Sequence, residues 1–346
     1  MLNLPCEMHG YTFTEEIGAG GFSRIYLVSS NQFQNAQFVA KVVLLTKESR
    51  DLSRELVFRR EVNTLAELNH PNIIRLYDSF SENNYFVMIL EYCPNGSLAD
   101  EVKRSNGLSN EQFTNYARQI VSAIQYCHSK GISHHDIKMQ NILIDNYGRP
   151  KLADFGLSIK LQDEDSEIES EFLGSLSYVA PEIFLKKPYS PIRADIWALG
   201  VLFVYMATGK SPWMGATSAD KIKSIACVGS FQLKKTVSQQ ISNLIRKMIV
   251  VDPKKRITAE QLANSSLFKV DLGMSLASPR STEFDALSPR GRKALMMSSD
   301  NFSSSEFHTA KGQLPKSLEI YRTNIISGFS TFKKIKPRMC NLTFYC

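Results

Sequence analysis

The octapeptide HHDIKMQN, His134 to Asn141, places a carboxylate, a cation and an amide at offsets that suit phosphoryl transfer. That reaction asks little covalent work of a protein. It needs positioning, neutralised charge and an acceptor for the hydroxyl proton. Asp136 can receive the proton, and Lys138 can steady the moving γ-phosphate. Asn141 offers an oxygen suited to Mg²⁺, which prefers carboxylate, carbonyl and water ligands. Asp154, in ADFGLS, stands 18 residues after Asp136 as a charged metal ligand.

Upstream lie the groups that would hold a nucleotide. GAGGFSRIY sets Gly18, Ala19, Gly20, Gly21, Phe22 and Ser23 between two strand-like stretches, and glycines let backbone N–H groups approach phosphate oxygens. A tight hairpin would need glycines anyway, and a dinucleotide-binding turn would be followed by a helix rather than a strand. Lys41 sits inside the strand-like FVAKV, and Glu61 follows 20 residues later among the apolar residues of a helix face. Together they can hold α- and β-phosphates. Either one alone reads as a surface charge.

The elements around these residues are legible from periodicity. Tyr11 to Glu91 is mostly strand-like, with one helix at SRELVFRREVNTLAELNH that puts Glu61, Leu65 and Leu68 on one face. After Cys93 helices dominate. Ser109 and Gln112 form a capping box before Phe113, Ala117, Ile120, Val121 and Ile124, Gly131 closes that helix, and Thr258 with Gln261 opens another. NILIDNYGRPKLADF predicts two short strands around a turn at Asn146–Gly148.

Composition narrows the class. Of 346 residues 43% are hydrophobic and 22% charged, as in an ordinary globular protein. The six cysteines show no C-x-x-C pairing, which argues against a zinc site or disulfide framework and fits a reducing compartment. The N-terminus lacks a signal-peptide pattern, and the apolar run Ile196 to Ala207 is too short to span a bilayer. A cytoplasmic location is therefore expected, with passage into the nucleus left open. The net charge of +7 divides into +5 for residues 271–346 and +2 for the rest, so nothing calls for a nucleic-acid groove. Residues 269–346 are Ser-rich and basic, with SPR at Ser278 and Ser288, and read as a largely disordered, phosphorylatable tail. An upstream kinase or docking partner acting on that tail is an open expectation.

The ordered set G-x-G, V-A-K, helix Glu, H-x-D-x-K-x-x-N, D-F-G and A-P-E (Ala180–Glu182) resembles the eukaryotic protein kinases over about residues 11–268. HPNIIRLYDSF, DIWALGV and DPKKRIT add to the likeness. The resemblance implies an α+β, two-lobed fold: a small β-rich N-lobe over about 11–92, and a larger helical C-lobe over about 93–268. It also implies ATP in the cleft with Mg²⁺ on Asn141 and Asp154. Leu90 would be the gatekeeper, Glu91 and Cys93 would offer hinge backbone groups, and Ile25, Ala40 and Leu143 would sandwich the adenine. Leu65, Leu76, His134 and Phe155 would stack as a spine, Glu182 and Arg256 would pair, and Asp195 would anchor the catalytic loop. Ile137–Lys138 after the catalytic Asp, with Ser175 set to bridge Asp136 and Lys138, implies protein substrates with Ser/Thr acceptors. DIWALGVLFVYMATGKSPW resembles the calcium/calmodulin-dependent and AMP-activated group.

Three positions depart from that pattern. Ser23 replaces the third glycine of the loop. His135 replaces the Arg that normally grips an activation-segment phosphate, and the segment LQDEDSEIESEF carries the acids Asp163, Glu164, Asp165, Glu167, Glu169 and Glu171, which would repel one. Activation without phosphorylation of Ser166 or Ser170 is the expectation. Ser97 and Gln140 stand where kinases directed to basic peptides carry acids. The competing readings are a pseudokinase scaffold, which would lack one of Lys41, Glu61, Asp136, Asn141 or Asp154, and a small-molecule or lipid kinase, against which APE and GSLSYV speak.

Overall fold

The computed structural model describes residues 2–21, 23–33, 36–44, 51–163, 166–169, 175–233 and 236–269, with backbone alone for 51–53. The tail expectation for 270–346 lies outside them.

The strand-like text of the N-terminal lobe folds into a single antiparallel sheet. It is built from β1 (Cys6–Met8), β2 (Tyr11–Ala19), β3 (Ser23–Ser30), β4 (Gln37–Leu44), β5 (Leu76–Glu82) and β6 (Tyr85–Glu91), in the order β1-β2-β3-β4-β6-β5. β1 precedes the expected start at Tyr11: Cys6 pairs with Phe13 and Met8 with Tyr11, which covers the edge of β2. The period of two sorts the side chains. Phe13, Tyr26, Val28, Ala40, Val42, Val87 and Ile89 bury together on one face. Val43 and Met88 pack instead with Phe58 and Val62 of α1 (Asp51–Glu67).

The helical lobe holds α2 (Leu98–Ser105), α3 (Asn110–Ser129), α4 (Pro181–Phe184), α5 (Pro191–Thr208), α6 (Ala219–Val228), α7 (Gln239–Met248) and α8 (Ala259–Ala263). Short strands β7 (Ile132–Ser133), β8 (Ile142–Ile144), β9 (Pro150–Leu152) and β10 (Ile159–Lys160) form two antiparallel pairs, β8 with β9 and β7 with β10. The capping boxes are present at α3, where Gln112 N–H donates to Ser109 Oγ at 3.2 Å, and at α8, where Gln261 N–H donates to Thr258 Oγ1 at 3.1 Å. The β8–β9 turn is held by Asp145, whose Oδ1 accepts from the N–H groups of Tyr147 and Arg149.

α5 extends beyond the apolar run at both ends because Ser190 caps it, Pro191 opens it and Gly209, at φ 69°, closes it. By length and composition it could cross a bilayer, yet 83% of that window is buried inside the lobe. Gly200 explains part of the packing: a Cβ there would lie 2.8 Å from Ile249 Cγ1, so a glycine lets α5 sit this close to the end of α7. α5 is the floor on which the loop of Asp136 rests.

Candidate active site

β4 runs past α1 so that Lys41, the cross-strand partner of Met88, meets a helical carboxylate. Lys41 Nζ lies 2.6 Å from Glu61 Oε2, 2.8 Å from Oε1 and 3.0 Å from Asp154 Oδ1. Glu61 is 2% exposed. Burial works against the Lys41 charge, but Asp154 and Glu61 outweigh it and lift the ammonium pKa well above its usual value. Burial likewise opposes ionisation of Asp154, and Lys41, with help from Lys138, holds its carboxyl below the usual range. Asp154 adopts φ 67°, a left-handed backbone costly for a non-glycine residue, just after β9.

Below it, the loop from β7 to the 3₁₀ turn Met139–Asn141 is hung from one buried carboxylate. Asp195 Oδ2 accepts from Ser133 Oγ at 2.9 Å and His134 N–H at 2.8 Å, Oδ1 accepts from His135 N–H at 2.9 Å, and His128 Nε2 lies 3.0 Å from Oδ2. Burial alone would raise the Asp195 pKa; the hydrogen bonds, led by that of His128, lower it. The loop so held presents Asp136, whose Oδ2 accepts from Lys138 Nζ at 2.6 Å and from Asn141 Nδ2 at 3.0 Å. Burial raises the Asp136 pKa against the pull of Lys138, which makes the carboxylate a better proton acceptor. The backbone carbonyl of Asn141 accepts from Ala153 N–H at 2.8 Å, which ties this loop to the residue before Asp154.

The donor set fits Mg²⁺. Asn141 spends its Nδ2 on Asp136, so its side-chain oxygen is the atom left that could ligate, with the Asp154 carboxylate as the second protein group that could do so. Mg²⁺ keeps several waters and is bound through one or two protein oxygens together with phosphate oxygens.

The protein kinase domain family matches residues 11–268. The chain belongs to that family. Similar curated proteins are human NUAK family SNF1-like kinase 1, 34% identical over 74% of this chain and 38% of that protein, and rice CBL-interacting protein kinase 25, 30% identical over 75% and 51%. The Dictyostelium discoideum probable serine/threonine-protein kinase MARK-A is 33% identical over 73% of this chain and 24% of that protein. These relatives support the likeness to the calcium/calmodulin-dependent and AMP-activated kinase group. The chain spans about half or less of their length.

As a kinase domain it departs from the sequence reading at the adenine sandwich. Ala40 is fully buried on the sheet face opposite Lys41, among Phe13, Tyr26 and Val42, and cannot touch a nucleotide in the cleft. Adjacent strand residues point to opposite faces, so the residue that shares the Lys41 face is Val39, whose cross-strand partner is Leu90. Ile25 pairs with Lys41 and shares its face, and Leu143 lies on β8 paired with Lys151. In the glycine hairpin Gly18 pairs with Ile25, Ala19 with Arg24, and Gly20 N–H donates to Ser23 O at 2.8 Å; Gly21 lies in the turn, and Phe22 lies outside the described residues. Of the four residues expected to stack as a spine, the His134 and Phe155 rings cross edge-on at 4.7 Å, and Leu65 is buried in the core that Leu76 packs against.

Lys151 is a residue that the sequence reading missed. It lies 5% exposed with Nζ 2.6 Å from Glu91 Oε1, so β9 is tied to the end of β6. Burial pushes the pKa of the nearby Cys93 thiol up. Ser97 is spent locally: it caps α2, and its Oγ donates to Asp100 Oδ2 at 2.7 Å. Ser175 lines the same small cavity as Asp136. Of the activation-segment acids, Asp163, Glu167 and Glu169 are exposed. Glu164, Asp165 and Glu171, with Ser170, lie outside the described residues.

His135 is 9% exposed, adopts φ 65°, and its Nε2 lies 2.8 Å from the Tyr189 hydroxyl. Burial, with His134 and Arg60 adding to it, outweighs the attraction of Asp195 and lowers the imidazole pKa to about 4. The ring is therefore neutral at physiological pH. The unfolded chain takes up this proton near pH 6.5, whereas the native state refuses it until about pH 4. Native stability should fall as pH drops through that window, by about 3 kcal/mol in total from this group. Urea midpoints of the wild type and His135→Gln, followed from pH 7.5 downward, should converge as the pH falls. Parallel curves would refute a neutral buried His135.

Proposed function

We propose that this chain is an active protein serine/threonine kinase, which transfers the γ-phosphoryl group of ATP to Ser or Thr hydroxyls of proteins without needing a phosphate on its activation segment. The observation that carries the reading is Lys41 held at once by Glu61 and Asp154, above an Asp136 already bonded to Lys138 and Asn141. Lys41 would hold the α- and β-phosphates. Asp136 would orient the acceptor hydroxyl and take its proton, while Lys138 balances charge on the transferred group. Mg²⁺ on Asp154 and Asn141 would neutralise the phosphate oxygens. Val39, Ile25 and Leu143 would enclose the adenine, with backbone groups of Glu91 and Cys93 at its edge.

Independence from activation-segment phosphate is supported by the neutral, buried His135 and by the exposed acids Asp163, Glu167 and Glu169. Substrate choice free of a strict basic requirement is supported by Ser97, a buried helix cap, and by the uncharged Gln140. The test is transfer of labelled phosphate from Mg-ATP to a generic Ser/Thr substrate by phosphatase-treated protein, with Asp154→Asn as control. Transfer that vanishes in the control supports the reading. No transfer by the treated wild type overturns it, and a peptide array dominated by upstream arginine overturns the substrate inference.

A further inference from the structure

Tyr189 lies just ahead of α5, is 2% exposed and takes no part in the chemistry described above. Its side chain and its backbone nevertheless face two different functional segments. The phenol lies 2.8 Å from His135 Nε2, and the two rings lie edge to edge, within 7° of parallel and with centroids 5.9 Å apart. The backbone forms an isolated antiparallel bridge with Ile168 in the activation segment. Ile168 N–H donates to Tyr189 O at 2.9 Å, and Tyr189 N–H donates to Ile168 O at 3.1 Å. Ile168 also packs against the C-lobe core. One residue thus joins the segment to the residue that precedes Asp136.

We propose that Tyr189 is a positioning residue that holds the activation segment against the catalytic loop, through its hydroxyl bond to His135 and its bridge to Ile168. The inference rests on the reading of an active kinase that needs no activation-segment phosphate, and supplies the part that would replace the phosphate grip. An Arg–phosphate pair is charge-assisted and exists only after modification. The His135–Tyr189 bond lies in a buried place and is present in the unmodified chain. The groups facing His135 are consistent with this: Asp195 fixes its backbone N–H, and Arg60 and His134 disfavour a second positive charge beside it. The consequence is that residues 166–169 are held in one position by the fold rather than by a signal.

Tyr189→Phe keeps the ring and the backbone bridge and removes the hydroxyl. Ile168→Pro removes an N–H of the bridge from a half-buried segment and leaves the catalytic loop untouched. Each variant should raise KM for the protein substrate about 3- to 10-fold, the weight of one or two hydrogen bonds, with KM for ATP unchanged. The double variant should be little worse than either single one, because both break the same connection. Amide hydrogen exchange over residues 166–169 should quicken in Tyr189→Phe, while exchange in α5 stays as in the wild type. An unchanged KM and unchanged exchange in both variants would overturn the proposal. So would exchange that rises evenly through the lobe, the mark of a merely structural residue. An inactive dephosphorylated wild type would sink the parent reading instead, and the exchange measurement, which needs no turnover, would still decide the role of Tyr189.

Discussion

Asp136→Asn lowers kcat for transfer to a serine substrate by roughly 10²- to 10⁴-fold, the usual worth of a general base, while nucleotide affinity stays within about twofold. The substitution is conservative in every respect but one. The amide has the size of the carboxylate, and its oxygen can still accept from Lys138 Nζ, now 2.6 Å from Asp136 Oδ2. What is lost is the carboxylate proposed to receive the hydroxyl proton. Burial raises the Asp136 pKa, so the wild-type group is a stronger base than an exposed aspartate. The Lys41–Glu61 pair, proposed to hold the nucleotide, makes none of the contacts that the substitution alters. Rapid-quench kinetics with saturating ATP, beside a nucleotide titration of the same variant, separate the two effects. A variant that still turns over within about tenfold of the wild type would remove Asp136 from the reaction.

The candidate groups that the structure brings together were legible because their identity and spacing are dictated locally. Asp136, Lys138 and Asn141 lie within one short loop, and a single buried anchor, Asp195, fixes it. Lys41 and Glu61 were legible because each sits on a regular element whose period points it inward. The same period exposes the misplaced residue. Ala40 neighbours Lys41 in a strand and must therefore face the opposite way, so counting by two from Lys41 would have reached Val39. β1 left no trace in the text because CEM is too short to show alternation and is fixed by pairing with β2. Lys151 and Tyr189 were invisible for a related reason. Their partners Glu91, His135 and Ile168 are remote in sequence, and a lysine on a strand or a tyrosine before a helix carries no local mark of such contacts.

Arg256→Met is expected to destabilise the helical lobe by about 3–5 kcal/mol, since it leaves the buried Glu182 carboxylate without its counter-charge. The pair is bidentate, with Nη1 to Oε1 and Nη2 to Oε2 both at 2.6 Å, and Arg256 is 2% exposed. Replacing both partners by apolar residues often restores a buried ion pair's lost stability. Here it should do so only in part. The guanidinium also donates to three carbonyls, Val250 O at 2.7 Å, Arg193 O at 3.1 Å and Val251 O at 3.2 Å, and stands over the Trp197 ring at 5.1 Å. Glu182→Leu combined with Arg256→Met removes the orphan charge but still leaves those carbonyls unsatisfied, at roughly 1–3 kcal/mol for each that water cannot reach. Glu182→Gln alone should cost less than Arg256→Met, because the arginine keeps its carbonyls and an amide oxygen as acceptors. Urea unfolding followed by tryptophan fluorescence reads all three, as Trp197, under the guanidinium, stacks with Trp213. Full recovery in the double variant would mean that the arginine serves the charge pair alone; partial recovery identifies it as the clamp that joins α4, the start of α5 and the turn after α7.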